Sequence, residues 1–180
     1  DIAKRVLDIE SKAVEALSHR LDGIFIIAVE LLASCSGRVI VTGMGKSGII
    51  SRKIAATFSS TGTAAYFVHP AEAVHGDLGV HQSGNPTVFL SNSGSTSELL
   101  ALVPILRRRG SSLVGILGNL DGVLAQKMDV ALDASVSREA DPLGIVPTAS
   151  FVVTAALGDA LASSLMHKRG FSEEDYAYTH

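Results

Sequence analysis

Five short β-branched runs alternate with segments of helical period, and this alternation constrains the fold more than any other feature. Residues 38–42, 64–68, 86–90, 112–117 and 130–134 read as strands. Between and after them, 47–59, 96–109, a short piece at 122–128 and a long piece at 147–169 carry helical spacing. Gly110 and Gly170 close two of these helices. Ahead of the strands, residues 2–33 show apolar positions at helical spacing, broken near Asp22-Gly23, so two helices are expected. Strand-helix alternation predicts an α/β fold with a parallel sheet covered on both faces. Such sheets bind ligands beyond the carboxyl ends of their strands. No internal repeat or low-complexity linker interrupts the 180 residues, which suits one domain over 1–180. Its parts are N-terminal helices at 1–33, an α/β core at 35–170 and a C-terminal segment at 171–180.

Two strand-to-helix loops carry the chemistry. Gly43-Met44-Gly45-Lys46-Ser47-Gly48 has the G-x-G-x-x-G spacing of a dinucleotide fingerprint. A dinucleotide site also needs an acidic residue about 20 positions further on. Here the second strand runs into Phe67-Val68-His69, without a carboxylate. The P-loop pattern is not met either, because Ile40 stands where its first glycine belongs. A tight turn that packs helix on strand is the plain alternative. Lys46 and Ser47 argue beyond it, since an ammonium and a hydroxyl at a helix N-terminus suit an anion.

The second loop is Ser91-Asn92-Ser93-Gly94-Ser95-Thr96-Ser97-Glu98. One hydroxyl would satisfy an N-cap, whereas five occur here within seven residues. Ser91, Asn92, Ser93, Ser95 and Thr96 are therefore read as a phosphate cradle. Ser95 and Glu98 also fit an S-x-x-E capping box, and spacing does not separate a capping carboxylate from a catalytic one.

Composition narrows the ligand. A net charge of −3 argues against a nucleic-acid surface. The lone Cys35 excludes an internal disulfide and suits a reducing, cytoplasmic compartment. Asp8, Glu10 and Glu15 are unlike a signal peptide. Residues 147–166 are long and apolar, but Gly158, Asp159 and several hydroxyls interrupt them, so a buried helix is expected rather than a membrane span. His69, His75 and His81 recur every six residues near Glu72 and Asp77. That spacing fits neither one helix face nor a usual zinc pattern, and no metal is expected.

Taken together, the two loops resemble the sugar isomerase (SIS) domain family. Ser59-Ser60-Thr61-Gly62-Thr63, the run from His69-Pro70 through His75-Gly76-Asp77 to Gly79, Arg138-Glu139-Ala140, and Glu174-Asp175-Tyr176-Ala177 before His180 narrow the likeness. They resemble its D-arabinose 5-phosphate isomerase branch, over nearly all of residues 35–180. The resemblance implies a three-layer, flavodoxin-like sandwich with a five-stranded parallel sheet, in a homotetramer, and the apolar 147–166 helix with the isolated His180 suggests shared active sites. It implies interconversion of D-ribulose 5-phosphate and D-arabinose 5-phosphate, which feeds 3-deoxy-D-manno-octulosonate and lipopolysaccharide synthesis. Lys46, His75, Glu98, Glu139 and His180 match the family's functional residues. Gly62, Thr63 and His69 match its substrate-binding segments, beside Ser47 and the hydroxyl loop. The family often has Glu where Ser95 stands and Cys where Asp141 stands. Asp141, two residues from Glu139, is expected to retune that carboxylate or the sugar preference. Full-length members usually continue past the final His into paired regulatory domains.

Aldose–ketose isomerisation moves a proton between C1 and C2 through a cis-enediol, without a redox cofactor. It needs a base at carbon and an acid at the carbonyl oxygen. Triosephosphate isomerase divides these roles between a Glu and a neutral His. By analogy, Glu139 or Glu98 takes the carbon-bound proton, and His75 or His180 shuttles protons among the oxygens. Lys46 stabilises the enediolate or holds the phosphate. Burial near another carboxylate would raise the pKa of the basic Glu. The competing functions are another sugar-phosphate isomerase, or a non-catalytic sensor of a sugar phosphate or sugar nucleotide.

Overall fold

In the computed structural model, which describes residues 1–179, the five expected strands form one all-parallel sheet. They are β1 (Val39–Gly43), β2 (Ala65–Phe67), β3 (Thr87–Ser91), β4 (Leu113–Leu117) and β5 (Val130–Asp133). The α-helices are α1 (Ile2–Ser18), α2 (Gly23–Ala33), α3 (Gly45–Ser60), α4 (Pro70–Ala73), α5 (Ser97–Arg108), α6 (Ala149–Lys168) and α7 (Glu173–Thr179). The sheet order is β2-β1-β3-β4-β5, which reverses direction between β1 and β3. That reversal opens a crevice at the carboxyl edge, and this order is the flavodoxin-like one.

Side-chain alternation builds the three layers. Val39 and Val41, Val88 and Leu90, Val114 and Ile116, and Val130 and Leu132 join a core shared with α2, α3 and α6. Ile40, Phe89, Leu113 and Leu117 point the other way, into a second core under α5. Both faces of the sheet are thus apolar, as a doubly covered parallel sheet requires. By length and composition alone α6 could cross a membrane. Here Val153, Leu157, Leu161 and Leu165 are buried against the sheet and α3. Burying each such leucine contributes about 1.5–3 kcal/mol, so α6 is a principal stabilising element of the domain.

Three features depart from the sequence-based expectation. The 122–128 segment is only a 3₁₀ turn, Ala125–Lys127, because Leu124 N–H is committed to the Gly94 carbonyl at 2.9 Å. Between β2 and β3 the chain forms α4 and a 3₁₀ turn, Asp77–Val80. Pro70 at the start of α4 presets the helical φ, but four residues are too few to show a period. α7 is likewise short and follows α6 after Gly170.

His81 does not share a surface with His69 and His75. It is 3% exposed, and its Nε2 lies 3.0 Å from the Asn85 carbonyl, while Nδ1 is buried without a partner among the described residues. Burial, aided by the Arg109 guanidinium, holds its pKa below the ordinary value of 6.5 despite the Asn85 bond. The unfolded chain therefore binds this proton more readily than the folded one. Stability from the neutral imidazole is fully present above pH 6.5 and is lost as pH falls through the lower folded pKa. Urea midpoints measured from about pH 8 down to about pH 5 should decline. The decline should flatten in His81→Gln, and an identical slope in both proteins would exclude His81 as its source.

Candidate active site

The two loops singled out in the sequence flank the crevice, one after β1 and one after β3. In the first, a Cβ on Gly48 would stand 2.8 Å from the Gly43 carbonyl oxygen. The glycine spacing thus reflects close packing of α3 on β1, which explains why a dinucleotide-like pattern occurs without its acidic partner. Lys46 is exposed in the first turn of α3, whose N-cap, Met44, offers no side-chain bond. Ser47 is half-buried, and its carbonyl accepts the Ser51 hydroxyl at 2.8 Å.

In the second loop the polar side chains expected to form the cradle divide into two groups. Ser91 is buried; its Oγ accepts Gly94 N–H at 3.1 Å and pairs with Thr96 Oγ1 at 2.9 Å. Ser91 and Thr96 therefore shape the loop. Asn92, Ser93 and Ser95 are exposed, with Ser93 Oγ accepting Ser95 N–H at 3.3 Å. The capping box does not form. Thr96 is the N-cap and makes no side-chain cap bond, so Ser95 stands one residue too early and Glu98 is at the second helical position. Glu98 is exposed and accepts the Ser97 hydroxyl at 2.9 Å. Its own backbone N–H, that hydroxyl and His69 hold its pKa below the usual carboxylate range.

Asn119, in the loop after β4, escaped the sequence reading. Its amide donates to the Ser93 carbonyl at 3.3 Å and so braces the hydroxyl loop. Gly94 (φ +68°) and Gly122 make that contact possible: a Cβ on Gly94 would stand 2.6 Å from the Asn119 carbonyl oxygen. The signal available was a third glycine immediately after a strand, Leu117-Gly118-Asn119.

His69 follows β2 and precedes α4, where its side chain makes no cap bond. Its Nδ1 is buried without a partner among the described residues, and its ring lies edge-on to Phe67 at 6.4 Å. His75 is exposed in the turn after α4. Among the described residues no group of three or more His, Cys, Asp and Glu is arranged to hold a metal ion.

Glu139 lies on the segment between β5 and α6, at the same edge of the sheet. Oε2 accepts Thr148 N–H at 2.8 Å, Thr148 Oγ1 at 3.1 Å and Ser150 N–H at 3.1 Å, while Oε1 accepts the Ser150 hydroxyl. Burial pushes its pKa up, but the Ser150 and Thr148 donors outweigh burial and leave it lowered. The expected rise toward neutrality is therefore not found, because helix-start donors rather than a second carboxylate surround the group. Thr148 and Ser150 were not anticipated. Nothing in their spacing marks them except the start of α6.

Gly62 and Thr63 are not with the others. The Val39–Ala65 register puts Thr63 two residues before the start of β1, about 20 Å along the strands from Gly43. Thr63 is buried and accepts Arg169 Nε at 3.0 Å, and Phe171 packs on Gly62. These contacts dock the end of α6 at the amino edge of the sheet. α7 begins at that same edge, and His180 lies outside the described residues.

A SIS domain model matches residues 31–164. Over 178 residues, 99% of its length, the chain is 49% identical to "Arabinose 5-phosphate isomerase KdsD" of Pseudomonas aeruginosa, of which it covers 55%. Its identity to the Escherichia coli K12 protein of the same name is 46% over 177 residues, 98% of this chain and 54% of that protein. The chain thus spans about half the length of the curated relatives it matches. Among solved structures, the E. coli CFT073 protein c3406 in complex with arabinose 5-phosphate superposes with a TM-score of 0.94 at 40% identity, covering 99% of this chain and 95% of that one.

Proposed function

This chain belongs to the SIS domain family, and from that premise we propose that it interconverts D-ribulose 5-phosphate and D-arabinose 5-phosphate through a cis-enediol. One observation carries the reading beyond phosphate binding. At the crevice between β1 and β3, Lys46 and the exposed carboxylate Glu98 stand on adjoining loops, each at a helix start without a side-chain cap. An ammonium and an ionised base beside an anion-binding edge are the minimum for enolisation of a sugar phosphate. The likeness to arabinose 5-phosphate isomerases supports the choice of pentose.

In this reading Asn92, Ser93, Ser95 and the open first turn of α5 hold the phosphate. Glu98 removes the carbon-bound proton: its lowered pKa keeps it ionised at neutral pH, and among the described residues one hydroxyl is the only side chain donating to it. A carboxylate is a weak base toward carbon, so the charge developing on the enediolate must be stabilised, and Lys46 supplies that. His75 carries protons between the oxygens. Glu139 is saturated at Oε2 but takes only Ser150 at Oε1, so Oε1 accepts a sugar hydroxyl. The product would feed 3-deoxy-D-manno-octulosonate and lipopolysaccharide synthesis in the cytoplasm.

Residues that match the family's site fall at opposite edges of the sheet. We propose that a complete site takes Lys46, Glu98 and Glu139 from one subunit and Gly62 and His180 from another, within a homotetramer. Co-refolding an inactive Lys46→Ala chain with an inactive His180→Ala chain should then restore part of the activity. Two inactive parents that stay inactive when mixed would refute the shared site. The substrate is tested by incubating the protein with D-ribulose 5-phosphate and following arabinose 5-phosphate. Turnover only of a hexulose or heptose phosphate would overturn the substrate, and binding without turnover would favour the sensor.

A further inference from the structure

We propose that Asp141 is a positioning residue, whose carboxylate clamps the 141–148 turn and thereby holds Thr148 against Glu139. Only its kinetic consequence rests on the isomerase reading. Asp141 Oδ1 accepts Leu143 N–H at 2.9 Å and Oδ2 accepts Val146 N–H at 2.9 Å. Gly144 N–H also reaches the Asp141 carbonyl at 3.1 Å. Two residues beyond Val146, Thr148 uses both its polar groups on the opposite limb. Its Oγ1 accepts Ala140 N–H at 2.7 Å and donates to Glu139 Oε2, to which its N–H also donates. Residues 139, 140 and 141 thus grip 150 and 148, 148, and 146 in successive rungs, and Asp141 makes the innermost one.

Little else fixes this turn. Residues 142–147 are all exposed, with Leu143 at 77% and Ile145 at 72%, so apolar burial does not hold them. Pro142 and Pro147 restrict φ at two points, but neither ties one limb to the other. α1 approaches Ala140 and Ala149 with Ile9, Val6 and Ala13, which offer Glu139 no hydrogen bond. The orientation of Glu139 therefore depends on where Thr148 and Ser150 are held: Ser150 lies in α6, Thr148 is its N-cap with its carbonyl accepting Val152 N–H at 3.0 Å, and Asp141 fixes the turn that leads into Thr148.

The test uses Asp141→Ala and Asp141→Asn with ¹³C-labelled glutamate. In Asp141→Ala, Glu139 should titrate closer to an ordinary Glu and the Thr148 amide should exchange faster. KM for D-ribulose 5-phosphate should rise about tenfold with kcat within about twofold, the signature of a lost binding contact. Asp141→Asn keeps one acceptor oxygen and should recover about half of the change on a logarithmic scale; it also serves if the alanine variant fails to fold. Unchanged Glu139 titration and Thr148 exchange in a folded variant would overturn the proposal, as would an unmoved KM. Should the parent show no turnover, the isomerase reading fails, while the titration and exchange still decide the role of Asp141.

Discussion

Glu98→Gln should lower turnover about a thousandfold while changing sugar-phosphate affinity less than about threefold, within the range of a lost general base. The side chain keeps its size and its oxygen for the Ser97 hydroxyl, so the loop should not move. What is lost is the capacity to take a proton. Glu98 is exposed and is not tied into a capping box, so the cost should fall on kcat and not on stability. Equal urea midpoints for parent and variant would confirm that separation. The acid limb of the parent's rate profile should also lie below the usual Glu range, since Glu98 must be ionised to act and its pKa is lowered. A Glu98→Gln enzyme with near-normal kcat would move the base to Glu139.

Gly94→Ala should destroy the site through the backbone. The residue sits at φ +68°, and its Cβ would meet the Asn119 carbonyl at 2.6 Å and Gly122 Cα at 3.3 Å. The left-handed conformation costs alanine about 1–2 kcal/mol, and forcing apart two packed backbones adds about 1–3 kcal/mol. A total of about 3 kcal/mol corresponds to a fall in Tm of roughly 6–12 °C for a domain of this size. Parting the two loops breaks the Asn119–Ser93 bond, so phosphate binding should be lost as well. Gly79→Ala is the control, because a Cβ there meets nothing within 4 Å and its φ is not positive.

Much of this architecture was legible in the chain because strands and long helices announce themselves by period. The five strands, α3, α5 and α6 rest on runs long enough to show alternation or helical spacing. α4, α7 and the 3₁₀ turns do not, and the 122–128 stretch misled because its glycine and Leu124 serve the neighbouring loop. The site was legible at the level of which loops matter, since glycines and hydroxyls at helix starts have a direct physical meaning. The roles within those loops were not. Ser91 and Ser93 are the same residue type two positions apart, yet one is buried in the loop and the other faces out, which only the fold decides. Glu139 has no local signal beyond the family likeness, because its donors lie nine and eleven residues further on. Gly62 and Thr63 belong to a matching motif, but strand register places them at the far edge.

The central claim is proton transfer at carbon by a solvent-exposed base at the β1–β3 crevice. It is tested most directly by incubating the protein with D-ribulose 5-phosphate in deuterated water and recording the NMR spectrum of the product. Arabinose 5-phosphate carrying deuterium at C2 is the predicted result, because a proton on the exposed Glu98 exchanges with solvent. Arabinose 5-phosphate formed with protium transferred from C1 to C2, or no arabinose 5-phosphate at all, would contradict it.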